Sequence, residues 1–261
     1  MSDALKIYVG YDEREHAAYQ VCRHSLIRHA SEPVDVRPLK LSSVKRAGWF
    51  TRNHYLHNGQ RYDCLDQKPF STDFSFTRFL VPALEGYQGM ALFLDCDFLI
   101  RGDIAELFSD ADPTKAMYCV KHHHEPEEGL KMDGVMQTRY RRKNWSSFVL
   151  FNCGHASNAR LTVENANTRP GAWLHAFEWL DEHEIGALPA DWNFLIGWDK
   201  LPYNEVPRGL HFTSGGPWFQ HMQDVPYADR WLREKAHLDY AIGRLPSPKD
   251  GGTPIYTGVA A

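Results

Sequence analysis

The stretch Met90-Ala91-Leu92-Phe93-Leu94-Asp95-Cys96-Asp97-Phe98-Leu99-Ile100, followed by Arg101-Gly102-Asp103-Ile104, decides how this chain is read. Apart from two aspartates its side chains are apolar or small. The run has the length of a strand buried on both faces, and Gly89 before it and Arg101-Gly102 after it supply the ends. It reads as a central strand of an open α/β sheet, with Asp95 and Asp97 near the carboxyl end, where such sheets bind ligands. Residues i and i+2 of a strand share a face, so the carboxylates aim together while Cys96 turns into packing. Like charges so close call for a cation beside them. Mg²⁺ or Mn²⁺ takes oxygen ligands, is held by one or two carboxylates, and leaves positions for substrate phosphates. The pair therefore points to a metal-bound phosphate ester or diphosphate; the plain alternative is a strand-end turn with solvated aspartates.

Upstream, residues 6–11 form a short β-branched and aromatic run that reads as the first strand and ends in the polar turn 12–15. From 16 to 29, Ala17, Ala18, Val21, Cys22, Ser25 and Leu26 recur at helical spacing, with acidic residues before the start and Arg28-His29 at the end. Residues 34–39 make a second strand. This is a βαβ unit, and the loop after its first strand is a candidate nucleotide site. Neither Gly-x-Gly-x-x-Gly nor a P-loop occurs there. Residues 42–68 read as a long surface excursion of the kind that lines a cleft. The spacing of Phe74, Phe76, Phe79, Leu80 and Leu84 predicts a helix up to Pro82 that ends near Gly86, with Thr72 and Asp73 as N-cap candidates. Arg78 lies inside that apolar segment, so it pairs either with a phosphate or sugar or with an internal aspartate.

Downstream, 104–108 reads as a helical turn and 116–120 as a strand. His122-His123-His124 does not have zinc spacing, since adjacent strand residues face opposite ways and no further ligand follows at the usual offset; solvated or acceptor-facing imidazoles are expected. Arg139, Arg141, Arg142 and Lys143 crowd before Trp145, either as a solvated loop or as a face for an anionic acceptor or membrane surface. Residues 146–152 read as another buried strand ending in Asn152-Cys153-Gly154, and 159–167 and 173–183 as helices. His211-Phe212-Thr213-Ser214-Gly215-Gly216-Pro217-Trp218 is the second chemically telling loop. Gly215 and Gly216 permit close approach of backbone N–H groups to phosphates, and His211 supplies an imidazole able to complete a metal site begun by two carboxylates.

At 261 residues, 43% hydrophobic and 24% charged, the composition is that of an ordinary globular protein with a sizeable core. A net charge of −4 argues against broad nucleic-acid binding. Five cysteines without repeating spacing suggest reduced thiols in the cytoplasm. No run approaches a membrane span, although peripheral membrane contact with a lipid-linked acceptor needs none. The expected organisation is one domain over 1–244 and a Pro/Gly-rich tail over 245–261.

The Asp-x-Asp with its flanks, preceded by Phe76-Thr77-Arg78-Phe79-Leu80-Val81-Pro82 and followed by Phe151-Asn152-Cys153-Gly154 and the late His-x-x-x-Gly-Gly-Pro-Trp, resembles the family-eight retaining glycosyltransferases, such as glycogenin and bacterial lipopolysaccharide galactosyltransferases. The motifs span most of residues 6–218 in the same order. The resemblance implies a GT-A (Rossmann-like) α/β fold, with a mixed, mainly parallel central sheet flanked by helices. It also implies a nucleoside diphosphate sugar donor, UDP in most members, and Mn²⁺ or Mg²⁺. It would make Asp95, Asp97 and His211 the metal ligands, with Gly10, Tyr11 and Asp12 at the base and ribose. Arg78 would lie near the donor sugar, Asn152 in the sugar pocket and Asp191 near the anomeric carbon. Gly216 stands where well-studied members carry a lysine on the diphosphate, so the metal, backbone amides, or a basic residue such as Lys121 or Arg208 would take its place. The implied reaction transfers a hexose to a glycan, lipid or small acceptor with retention. A silent nucleotide- or sugar-binding protein and a sugar-nucleotide nucleotidyltransferase are the alternatives, and the latter usually has a Gly-rich basic loop that is absent here.

Overall fold

The computed structural model describes residues 4–122, 142–200 and 206–243. His123, His124, Arg139, Arg141 and the expected tail over 245–261 lie outside the described residues.

The chain opens with β1 (Leu5–Tyr11), α1 (His16–His29) and β2 (Val34–Lys40), and β1 and β2 pair in parallel as a βαβ unit requires. The segment read as a long surface excursion carries short elements of its own. It contains α2 (Leu41–Arg46) and a small antiparallel meander of β3 (His54–His57), β4 (Gln60–Asp63) and β5 (Pro69–Phe70). Its polar composition conceals what holds it: Arg52 grips Asp63 through two bonds of 2.8 Å, and both side chains are buried. A buried fork of this kind replaces the apolar alternation that a sequence reading looks for.

Residues 77–84, read as part of one long helix, form a 3₁₀ turn over Thr77–Leu80 that passes into α3 (Val81–Leu84). Then come β6 (Met90–Leu94), β7 (Phe98–Ile100), α4 (Ala105–Ser109), β8 (Met117–Cys119) and β9 (Phe148–Asn152). Short helices α5 (Val163–Thr168) and α6 (Gly171–His175) lead to β10 (Ile185–Ala187), β11 (Phe194–Leu195) and β12 (Gly209–His211). Finally α7 (Ala228–Ala241) lies against α1, tied by Glu234 to His24 at 2.7 Å and to Arg28 at 2.6 Å. α7 lies in a stretch for which the sequence patterns above predict no element.

Among the described residues the main sheet runs β10-β8-β9-β6-β1-β2, with β6 inside it. All neighbours are parallel except those of β9, which is antiparallel to both β6 and β8. This is the mixed, mainly parallel sheet that the motifs implied. Ala91–Leu94 on β6 are fully buried, as expected of a strand covered on both faces. The decisive stretch is not one strand, however. Its first half belongs to the main sheet, and its second half, β7, pairs with β12 in a separate sheet of order β11-β12-β7. Asp95-Cys96-Asp97 is the turn between the two sheets.

Candidate functional site

Because β1 and β6 are parallel, the loop after Tyr11 and the turn at Asp95 come to the same end of the sheet. Backbone bonds fix the turn from two sides: Asp95 N–H donates to the Ser147 carbonyl at 2.9 Å, and the Asp97 carbonyl accepts from Phe212 N–H at 3.0 Å. Cys96, between them, is fully buried, and burial and then Glu15 push its thiol well above its ordinary pKa. It therefore stays a packed thiol.

On β12, His211 lies directly opposite Phe98, so their side chains share a face. The rings stack with centroids 4.3 Å apart. The imidazole Nε2 is 3.3 Å from Asp97 Oδ1, and its Nδ1 is 2.8 Å from the Asn193 amide oxygen. An amide oxygen only accepts, so Nδ1 is the protonated nitrogen and the Nε2 lone pair points at the carboxylates. Asn193, fully buried, is oriented in turn by donating to Ser147 Oγ at 3.0 Å. Donor atoms of Asp95, Asp97 and His211 all lie within 4.8 Å of one another. Two carboxylate oxygens and one imidazole nitrogen with a fixed tautomer suit Mn²⁺ or Mg²⁺ and leave coordination positions for a ligand.

The triad forms one wall of a cleft. Arg78 is the buried arginine of the sequence reading, and its partner is internal: it reaches Asp95 Oδ1 at 2.8 Å, donates to the Ser146 and Phe74 carbonyls, and lines the cleft beside the triad. Beneath it His175 is paired with Ser146 Oγ at 2.8 Å. Burial, and then the charges of Arg78, Lys143 and Arg52, hold its imidazole well below the ordinary histidine value, so it is neutral.

Other residues named from sequence lie elsewhere or are engaged differently. Asn152 is at the opposite end of the sheet, opposite Met90, and its amide donates to the Pro113 and Lys115 carbonyls. Since β9 runs antiparallel, the residues that enter the cleft are ones preceding it, Lys143, Asn144, Ser146 and Ser147. Asp191 is on a 3₁₀ turn over Ala190–Asn193, where residues two apart diverge. Asn193 faces the triad, whereas Asp191 is held by Arg208 in a fork of 2.7 and 2.9 Å beside a separate depression that includes Glu106 and Tyr118.

Asp12 is buried. Burial works to raise its carboxyl, but bonds and charge from Arg14 and then Arg61 outweigh this and leave it below the usual range. It caps the turn after β1 and orients Arg14, which lines the cleft. Gly10 serves packing, as a Cβ there would sit 2.5 Å from the Phe74 ring. Tyr11 stacks edge-on with Tyr19 and holds Lys40 over its ring at 4.4 Å.

Of the glycine pair, the Gly215 amide is engaged within the protein. Gly215 lines the cleft with φ +107°, but its N–H donates to the Phe212 carbonyl at 2.8 Å. At Gly216 a Cβ would lie 2.2 Å from the Trp218 ring, so the indole occupies the space where a lysine would begin. Lys121 pairs with Glu182 and Arg208 with Asp191 and Glu106, and neither lines the cleft. Among the described residues the cleft's Lys and Arg side chains are Arg14, Arg78 and Lys143. His122, expected to be solvated or to face an acceptor, has a buried side chain 3.9 Å from Asp199 and is not solvated.

The fold and the triad define a protein of the GT-A glycosyltransferase fold. Solved structures agree. WbbM, a bifunctional glycosyltransferase, superposes with a TM-score of 0.60 at 15% identity over 93% of this chain and 51% of WbbM. GlyE of Streptococcus pneumoniae gives 0.56 at 17% identity over 89% of this chain and 60% of GlyE. The galactosyltransferase LgtC, solved with donor and acceptor sugar analogues, gives 0.55 at 13% identity over 92% of this chain and all of LgtC. The chain thus spans about half of WbbM. No family model matches the chain. It is 47% identical over 233 residues to Protein CDI of Arabidopsis thaliana, covering 88% of this chain and 85% of that protein, and belongs to the family of Protein CDI.

Proposed function

We propose that this protein is a metal-dependent glycosyltransferase that moves a hexose from a nucleoside diphosphate sugar, UDP-linked in the first instance, to the hydroxyl of an acceptor with retention. The observation that carries the reading is the Asp95, Asp97 and His211 triad with its tautomer set by Asn193. A divalent cation there would supply electrostatic stabilisation of the departing diphosphate.

Charge balance supports the same ligand. Among the described residues the cleft is lined by Arg14, Arg78 and Lys143 against Glu15, Asp95 and Asp97. The side chains cancel, so a bound divalent ion leaves an excess of positive charge that the two phosphate charges of a sugar nucleotide match. Arg14 and Lys143 stand in for the lysine that Gly216 replaces. With Asp191 engaged by Arg208, the favoured route to retention is front-face attack. The acceptor hydroxyl then gives its proton to the departing diphosphate as its oxygen bonds to the anomeric carbon.

The test is release of free nucleoside diphosphate from a panel of UDP- and GDP-hexoses with Mn²⁺, with Mg²⁺ and with chelator. Turnover of one donor that needs the metal and is lost in Asp97→Ala supports the reading. No release, or release indifferent to chelator and to Asp97→Ala, overturns it.

A further inference from the structure

A second hollow lies on the other side of the loop that follows His211. Its walls are Ile196, Phe212, Val225 and Pro226 with the indole of Trp198, and its volume is about 170 Å³. Ile196 and Phe212 are buried, whereas Trp198 is 52% exposed and forms the rim. Ser214 and Gly215 line both this hollow and the metal-triad cleft, so only the thickness of that loop separates them. Gly215 makes the thin wall possible: its φ is +107°, and a Cβ there would meet Met222 Sδ at 2.6 Å. The Ser214 hydroxyl, 3.5 Å from Trp198 Nε1, is the polar group on the shared wall.

We propose that this hollow is an acceptor subsite for one aromatic ring, a ring that carries the hydroxyl-bearing part of the acceptor over Ser214 into the cleft. Size admits a single ring, since about 170 Å³ is comparable with the roughly 150 Å³ of an apolar cavity that takes a benzene-sized guest. Chemistry selects it as well: apolar walls with one convergent polar group fit an aryl group better than a free sugar, which would bury hydroxyls against Ile196, Phe212 and Val225 without partners. The inference rests on the transferase reading and names the acceptor class for it.

The test compares phenyl β-D-glucopyranoside with methyl β-D-glucopyranoside, which differ in the ring alone, by saturation-transfer NMR and tryptophan fluorescence on the full chain. The phenyl glycoside should bind at least tenfold more tightly than the methyl one. Val225→Phe, which fills the hollow, and Trp198→Ala, which removes its exposed wall, should each abolish that preference, and having two variants protects the result if one fails to fold. Equal binding of the two glycosides, or an unchanged preference in a folded Val225→Phe, overturns the subsite. Metal-dependent UDP binding is measured in parallel on the unaltered protein. UDP binding without ring preference refutes the subsite alone, whereas ring preference without metal-dependent UDP binding refutes the transferase reading and, with it, the acceptor role.

Discussion

Replacing Asn193 with leucine probes the site through a residue that touches no ligand. The Asn193 amide oxygen accepts the Nδ1 proton of His211 at 2.8 Å and so keeps the Nε2 lone pair directed at Asp97 and Asp95. Leucine has nearly the same size and no acceptor. The imidazole then gains by moving its proton to Nε2, where Asp97 Oδ1 lies 3.3 Å away and accepts it. In that tautomer the triad has no nitrogen donor. Losing the outer partner of a metal-ligating histidine typically costs 10–100-fold in metal affinity, equivalent to about 1.4–2.7 kcal/mol. Asn193→Asp keeps the acceptor and should retain affinity. Mn²⁺ titration followed by electron paramagnetic resonance of the free ion measures all three proteins, with thermal melts to establish folding. A folded Asn193→Leu that binds Mn²⁺ within twofold of the unaltered protein would refute the tautomer argument.

The two aspartates should separate stability from metal binding. Asp95→Asn strips the charge partner from Arg78, whose side chain is 6% exposed, and should cost about 3 kcal/mol in urea unfolding; Asp97→Asn should abolish Mn²⁺ binding and cost less than about 1 kcal/mol. Gly216→Lys, which restores the basic residue of the resemblance, must displace the Trp218 ring and should lose about 1–3 kcal/mol without tightening nucleotide binding.

Stability should fall with acid in two windows. His175 stays neutral when folded while the unfolded imidazole protonates, so its contribution is full above about pH 6.5 and declines below it by up to about 1.4 kcal/mol per pH unit. Burial opposes the Glu234 charge, yet His24 and Arg28 bring its carboxyl down to about 2, so its contribution is full above about pH 4.5 and is lost from there to pH 2. Stability that stays flat from pH 7 to 5 would contradict the first window, and an unchanged acid midpoint in Glu234→Gln the second.

Local patterns were legible in this chain, and pairings between distant segments were not. The first strand, α1 and β2 follow their sequence patterns almost residue for residue, because alternation, helical spacing and end charges are properties of short windows. Asp95 and Asp97 are legible for a related reason, since two carboxylates in an apolar run have few uses, whereas His211, far along the chain, joins them through the motif order of the resemblance. Asn152 was misplaced because a buried strand reads alike in either direction, and only the pairing with β6 shows that β9 is reversed.

Asp191 was misplaced by a neighbouring effect, the three-residue turn that sends Asp191 and Asn193 to different sides. Asn193 itself carried no signal, since an amide that orients an imidazole 18 positions away has no local spacing to betray it. The glycine loop was read from what glycine permits rather than from where its N–H goes, and the Gly215 amide already has the Phe212 carbonyl. The meander after α2 lacks apolar alternation because Arg52 and Asp63 are its buried centre.

On the proposed reading Asp95, Asp97 and His211 would together hold a divalent metal on which binding of a nucleoside diphosphate depends. Calorimetric titration of the full chain with UDP, and with GDP for comparison, tests it directly when run with Mn²⁺, with chelator, and on Asp97→Ala. One nucleotide should bind with Mn²⁺, and both chelator and Asp97→Ala should remove that binding. Binding of equal strength in chelator, or in a folded Asp97→Ala, would contradict the reading.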